Sequence, residues 1–401
     1  MDMWELNALR SGLRDARGVG CVRDTCVSAR QPQSGTATGT ADHSTVVRQR
    51  TRRMRRLKRR RIGQRLALRY RIDMSRLIVI GASLGGVRAL IELASAFPAN
   101  LPAPVLVVLH TGAHRSVLPS LLSTKCALPV SHAQHDEAIR DGRIYVAPPD
   151  HHMLVMGGRS VLTRGAKEHH TRPAIDPLFR SAALARGPEV IGVILTGRLD
   201  DGTAGLQVIK QRGGIAVVQD PADAFASSMP ASALKYVAID HCLPLALLPP
   251  LLTSLVSMPV PPGAAFIDER PAHEQDLSLR RGDVMNHLHA IGSQSSFACP
   301  DCHGTLWEVR DSRPKRYRCH TGHAFTARTL QETMATASDE ATWSALRSLQ
   351  ERELLLQDMI LAHRAEGDEV SAARLETASK RLSRQVASIH ALLEQSPEPL
   401  E

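Results

Sequence analysis

Leu77-Ile78-Val79-Ile80 is a continuously apolar, β-branched run that ends at Gly81-Ala82-Ser83-Leu84-Gly85-Gly86, after which helical periodicity begins at Val87. This is the feature that most constrains the fold. A strand with no polar face must be covered on both sides, which is the condition of a parallel sheet between two helical layers. The following turn presents Ser83 where a helix start offers free N–H groups. Its glycines permit close backbone approach. The turn matches neither GxGxxG nor the phosphate-binding GxxxxGK[ST] pattern.

The same kind of run recurs at Pro104–His110, Gly142–Ala147, Val190–Leu195 and Gly214–Gln219, with helical patterns at 173–185 and 204–211 between them. Gly157-Gly158 reads as a hairpin turn between Met153–Met156 and Ser160–Thr163. The expected fold is α/β: a doubly wound, mostly parallel sheet, Rossmann-like and three-layered, over residues 75–256. Ligands of such sheets bind beyond the carboxyl ends of the strands. Ser83 follows the first strand, His110 ends the second, and Asp200-Asp201 follow Val190–Leu195. A serine hydroxyl needs an adjacent imidazole to become a nucleophile, and the imidazole needs a carboxylate to fix its tautomer. Three strand ends supply these three groups, with either aspartate available. Gly81–Gly85 also fits G-x-S-x-G, but that nucleophile elbow requires preceding strands and the order Ser, Asp, His. Here the order is Ser, His, Asp.

Outside this region the chain changes character. Of its 401 residues, 1–73 hold 18 Lys/Arg against 6 Asp/Glu, which accounts for more than the whole net charge of +10. Residues 1–74 are expected to be a disordered, Arg-rich arm. A nucleic-acid or anionic-membrane role is the alternative to a solvated tail, or to translated sequence upstream of a start at Met74. No run of about 18 apolar residues and no signal peptide is present, so a cytoplasmic protein without a transmembrane segment is expected. Residues 257–294, rich in proline and charge, read as a linker with one short helix. Cys299-x2-Cys302 and Cys319-x3-His323, separated by a hairpin-like segment, have the spacing of a structural zinc site, with His320 as the alternative fourth ligand. Residues 295–335 thus read as a small zinc-ribbon-like module, and 336–401 as a C-terminal helical hairpin with one apolar seam. Four protein ligands leave no open position, so the zinc is structural and no cofactor is expected for catalysis.

The motifs GASLGG, VVLH, YVAPPDHHMLV, RPAIDPLFRSAA, GVILTGRLDDGTAGL and VVQDPADAFASSMPASAL together resemble the catalytic domain of the chemotaxis protein-glutamate methylesterases (CheB), over about residues 76–250. The resemblance implies hydrolysis of glutamyl methyl esters on chemoreceptor-type signalling helices, often with deamidation of glutamines. It implies Ser83 as nucleophile, His110 as general base and acid, and Asp201, which precedes Gly202, as orienting carboxylate. Backbone N–H groups near Leu84 and Arg198 would hold the oxyanion, and His152 and Arg172 lie in family-like motifs that place them toward substrate. The remaining histidines, His114, His151, His169 and His170, are expected in surface or structural positions. The chain departs from the family in having Leu84 where Thr is usual and Arg198-Leu199 where Met-Gly is usual. Residues 1–74 do not resemble the family's receiver domain, so control by phosphorylation in cis is not expected. Expected partners are methylated receptor helices and signalling-pathway proteins. The rival reading is a non-catalytic adaptor that binds such partners through the same fold and its zinc–helix tail.

Overall fold

The computed structural model describes residues 75–260 and 268–394. The expectations for the arm over 1–74 lie outside the described residues. The N-terminal half contains strands β1 (Leu77–Ala82), β2 (Val105–Leu109), β3 (Val130–His132), β4 (Glu137–Ala138), β5 (Ile144–Val146), β6 (His152–Met156), β7 (Arg159–Thr163), β8 (Val190–Ile194), β9 (Ile215–Gln219) and β10 (His241–Leu243). Seven of them form one sheet in the order β10-β9-β8-β1-β2-β5-β3. Every pairing in it is parallel. The chain leaves β1 toward β2 on one side and returns at β8 on the other. The topological switch point, where open α/β sheets place their ligands, therefore lies between β1 and β8.

Alternate side chains of each strand feed opposite cores. Ile78, Ile80, Val105 and Val107 pack with Leu90, Leu93, Leu248 and Leu252 on one face. Leu77, Val79, Leu106 and Val108 pack with Leu178, Phe179, Leu206 and Ile209 on the other. Both faces are dry, which is why these strands are apolar throughout rather than alternating. Helices Gly86–Ser95 and Leu248–Ser257 cover the first face, and Ile175–Arg186, Thr203–Gln211 and Ser228–Tyr236 the second. The hairpin expected around Gly157-Gly158 is β6–β7, joined by β4 in a separate antiparallel sheet.

The stretch read as a linker needs correction. Its described part after residue 267 folds into helices Arg270–Leu279 and Val284–Ile291, the second capped by the Asp283 carboxylate, which accepts the N–H groups of Met285 and Asn286. Leu277, Leu288 and Ile291 are buried with Trp307 and Val309. The apolar residues are few, and these three carry the burial. A four-stranded antiparallel sheet follows: β11 (Gly292–Ala298), β12 (Thr305–Val309), β13 (Arg316–Cys319) and β14 (Ala324–Thr326). The terminal helices are Ala327–Ala365 and Glu369–Glu394, and they turn back on each other at Gly367 (φ 76°). Leu346, Ile360, Ala372 and Leu382 form their seam, whereas Trp343 is 56% exposed. The first helix starts nine residues before the expected boundary because the Thr326 hydroxyl caps it, accepting the Thr329 N–H.

This C-terminal module is bonded into the α/β domain through charge. Glu168 and Arg180 of the domain, Glu274 of the first connecting helix and Arg318 of β13 are all buried. Arg180 donates to both oxygens of Glu168 at 2.8 and 3.2 Å, and Arg316 grips Glu274 at 2.8 and 2.9 Å. Arg318 reaches both carboxylates, Glu168 at 2.5 Å and Glu274 at 3.3 Å.

Candidate active site

Ser83 sits in the turn after β1. Its N–H donates to the Thr196 carbonyl at 3.0 Å, and its own carbonyl accepts from Gly86 at 2.8 Å. The Thr196 hydroxyl donates to the Leu84 carbonyl at 2.9 Å and accepts the Ala226 N–H at 2.8 Å, so the loops after β1 and β8 are sewn together. Gly197 must be glycine here: a Cβ would lie 2.2 Å from Met229 Sδ and 2.9 Å from Ser83 Cβ.

The three residues expected at the strand ends meet. Ser83 Oγ lies 3.1 Å from His110 Nδ1, and His110 Nε2 lies 2.8 Å from Asp201 Oδ2. An ionised carboxylate only accepts, so the proton sits on Nε2 and the Nδ1 lone pair faces the serine hydroxyl. Ser83 and His110 open onto an apolar cleft of about 730 Å³ whose walls include Leu84, Val87, Arg88 and Ile91.

Asp201 is buried and saturated with donors. Oδ2 also accepts the Ile175 N–H at 2.7 Å, while Oδ1 accepts the N–H groups of Asp176 and Gly202 at 3.0 and 2.7 Å. Burial alone would raise its pKa. The His169 charge, the His110 hydrogen bond and charge, and the Ile175 N–H outweigh it and bring the group to about 2. The alternative, Asp200, faces away, accepting the hydroxyls of Thr326 and Thr329 at 2.8 and 3.0 Å. Burial pushes its pKa up.

Not every expected residue joins the cleft. His152 is 0% exposed and does not face substrate. Its Nε2 donates to the Ala166 carbonyl at 2.9 Å, its Nδ1 accepts the Ala174 N–H at 3.2 Å, and burial holds it neutral with a pKa of about 4. It is a core histidine tying β6 to the segment before helix Ile175–Arg186. Arg172 binds Asp150 Oδ1 at 2.5 and 2.8 Å and the Gly165 carbonyl at 2.6 Å, so its donors staple loops together and none reaches the triad. Leu84 is 49% exposed at the cleft, and the Arg198 side chain turns to Glu332 of the first terminal helix at 3.3 Å. The N–H groups of Leu84 and Arg198 have no acceptor among the described residues.

Sequence reasoning missed the inner layer. Asp176 accepts the Gly205 N–H at 2.6 Å and His169 Nε2 at 2.9 Å, and His169 Nε2 is also 3.5 Å from Asp201 Oδ1. The only sequence signal for Asp176 was its place in the RPAID segment. His169 was expected in a surface or structural position, and nothing in the sequence tied it to Asp201.

Cys299, Cys302, Cys319 and His323 converge, their ligand atoms all within 4.8 Å of one another. Cys302 Sγ–Cys319 Sγ is 3.6 Å, and His323 Nδ1 lies 3.6 and 3.5 Å from the sulfurs of Cys299 and Cys319. Zn–S and Zn–N bonds of about 2.3 and 2.0 Å imply tetrahedral edges of about 3.5–3.8 Å, so the donor set fits zinc. The alternative ligand, His320, packs against Gly304 instead.

A serine, a histidine and an aspartate hydrogen-bonded in series at the carboxyl edge of a doubly wound parallel sheet define an α/β protein of serine-hydrolase type. The chain belongs to the CheB methylesterase family, whose family model matches residues 78–252. A relative from Leptospira interrogans is 38% identical over 170 residues, which is 42% of this chain and 88% of that protein. Protein-glutamate methylesterase/protein-glutamine glutaminase 2 of Methanosarcina mazei is 37% identical over 188 residues, 45% of this chain, which spans about half (51%) of that relative's length. The CheB methylesterase catalytic domain of Thermotoga maritima is 32% identical with a TM-score of 0.44, covering 45% of this chain and 99% of that one.

Proposed function

We propose that this chain hydrolyses glutamyl methyl esters, and glutamine amides, on receptor-type signalling helices through Ser83, His110 and Asp201. The observation that carries the reading is the continuous chain Ser83 Oγ–His110 Nδ1–Nε2–Asp201 Oδ2 beside an open cleft. In this reaction His110 Nδ1 takes the Ser83 proton as Oγ attacks the ester carbonyl, and Asp201 stabilises the imidazolium without itself becoming protonated. The tetrahedral oxyanion is received by the unengaged N–H groups of Leu84 and Arg198, donors of the kind whose single removal costs about 10²–10³-fold in rate. Collapse breaks the C–OMe bond, with His110 protonating the departing methanol. Water, deprotonated by His110, then cleaves the acyl-serine to the free glutamate. With a glutamine side chain the leaving group is ammonia.

Cys299, Cys302, Cys319 and His323 would hold a structural zinc, which would supply a cross-link between the β11–β12 and β13–β14 turns and no open position for substrate. The Nε2 of His323 faces Asp301 at 3.8 Å, and Asp301 in turn accepts from His170 at 2.9 Å, the outer partner such a ligand uses. Among the described residues no helix is long and apolar enough to cross a membrane.

The test is methanol release from a methyl-labelled receptor signalling fragment by the full chain, beside Ser83→Ala. Release that disappears in the variant supports the proposal. No release, no hydrolysis of a simple ester and no labelling of Ser83 by a phosphonate would overturn it and leave a binding protein built on the same fold.

A further inference from the structure

His169, which the proposed reaction does not use, carries a buried imidazole, 4% exposed, surrounded by three carboxylates. Its Nε2 donates to Asp176 Oδ2 at 2.9 Å and lies 3.5 Å from Asp201 Oδ1, and its Nδ1 is 3.4 Å from Thr329 Oγ1 and 3.9 Å from Asp200 Oδ1. Its backbone is pinned as well: its N–H donates to the Ala324 carbonyl of β14 at 2.7 Å, and φ is 53°, in the left-handed region. Hydroxyl donation to Asp200 gives both ring nitrogens an acceptor. The hydroxyls of Thr326 and Thr329 spend their protons on Asp200 Oδ1, so Thr329 Oγ1 has a lone pair for His169 Nδ1–H, and Nε2–H serves the carboxylates. Both ring nitrogens then carry protons. Burial opposes that charge, but Asp201, Asp176 and Asp200 together raise the group to about 10.

We propose that His169 is a positioning residue for the Asp201 carboxylate, and that Thr329 and Ala324 of the C-terminal module hold it there. Resting on the triad reading above, this makes the module a working part of the site, which it completes from behind, at the carboxylate end. Oδ1 of Asp201 is fixed by His169 and two backbone N–H groups, which leaves Oδ2 aimed at His110. Removing the imidazolium leaves Asp176 and Asp201 as neighbouring buried carboxylates with no cation between them, so the Asp201 side chain rotates or takes up a proton, and His110 loses its anchor.

The test uses the full chain with His169→Ala, His169→Gln and Thr329→Val, active sites being counted by phosphonate labelling. For His169→Ala, kcat per labelled Ser83 is expected to fall about 10–100-fold with KM within a factor of two, the scale of a catalytic group displaced by about 1 Å. Thr329→Val should lower kcat several-fold, and the Gln amide should restore part of the loss. A second arm reads positioning without turnover. In Ser83→Ala, the His110 Nε2 proton bonded to Asp201 should give a low-field NMR resonance that disappears on adding His169→Ala. Wild-type kcat per labelled site together with an unchanged resonance would overturn the proposal, even in a less stable variant. If the wild type neither turns over nor labels, the hydrolase reading fails, and the resonance still decides the positioning.

Discussion

Asp176 and Asp201 cap each other's helices. Asp201, one residue before the N-cap Gly202 of helix Thr203–Gln211, accepts the first two N–H groups of helix Ile175–Arg186, and Asp176 in that helix accepts the Gly205 N–H of the other. Neither helix has a capping side chain of its own. The carboxylate that faces His110 is therefore also a structural one, since helix N-termini present orphan donors that must be met.

Replacement of the two triad ends should separate the two duties. Ser83→Ala is expected to abolish ester hydrolysis with little change in thermal stability. Asp201→Asn should lose about 10⁴-fold in kcat and also about 1–3 kcal/mol of stability, because an amide cannot accept at both ends. Methanol release and thermal denaturation of both variants check this; equal stabilities would contradict the dual role.

Gly81 is a second pressure point. A Cβ there would stand 2.4 Å from Ile175 Cγ2, and the Ile175 N–H holds Asp201 Oδ2. Gly81→Ala is expected to cost about 1–3 kcal/mol as an overpacked core and to lower kcat by moving Ile175. Denaturant unfolding and steady-state kinetics measure the two effects. A variant with wild-type kcat would show that the contact relaxes elsewhere.

Stability should fall on both sides of mild acidity. Glu274 would be raised by burial, but Arg316, Arg318 and Arg180 bring it down to about 2, and Arg180 and Arg318 hold Glu168 well below its usual range. A depressed carboxylate contributes stability above its unfolded value of about 4.5 and loses it as pH falls toward 2. His169, raised to about 10, contributes fully below its unfolded value of about 6.5 and loses that contribution as pH rises to 10. The melting temperature is thus expected to peak near pH 5–6.5, with Glu274→Gln flattening the acid limb. An acid limb of unchanged slope in that variant would refute the assignment.

Metal content is open to direct measurement. Purified full-length protein should carry about one zinc per chain by mass spectrometry, and Cys302→Ser should reduce it sharply. Chelation should lower the melting temperature, because a bound metal stabilises the folded form by mass action. A chain free of zinc after expression in zinc-supplemented medium would exclude the site.

What was legible in the sequence follows from distance along the chain. The parallel sheet showed because each strand advertises its double burial locally. Ser83 and His110 showed because each ends such a strand, whereas strand position left Asp200 and Asp201 equivalent and only the resemblance, through Gly202, chose Asp201. The four zinc-type ligands showed through their short spacing. His152 misled because a histidine in a cleft-like motif looks the same whether it meets substrate or, as here, two backbone groups in the core. The helices at 270–291 were hidden by low apolar content. His169, Thr329 and the Glu168–Arg318 contact join residues about 150 apart, and no local pattern encodes such a pair.

The buried arginine–glutamate cluster bears on how such a protein can be inherited or divided. The family match stops at residue 252, yet the partners of Glu168 and Arg180 include Glu274 and Arg318 beyond that point. A cut at residue 252 would leave Glu168 and Arg180 paired with each other and strip Glu274 and Arg318 from over them. Exchange of the C-terminal segment keeps this cluster intact only when both halves travel together. The charge cluster of this chain therefore straddles the edge of its family match.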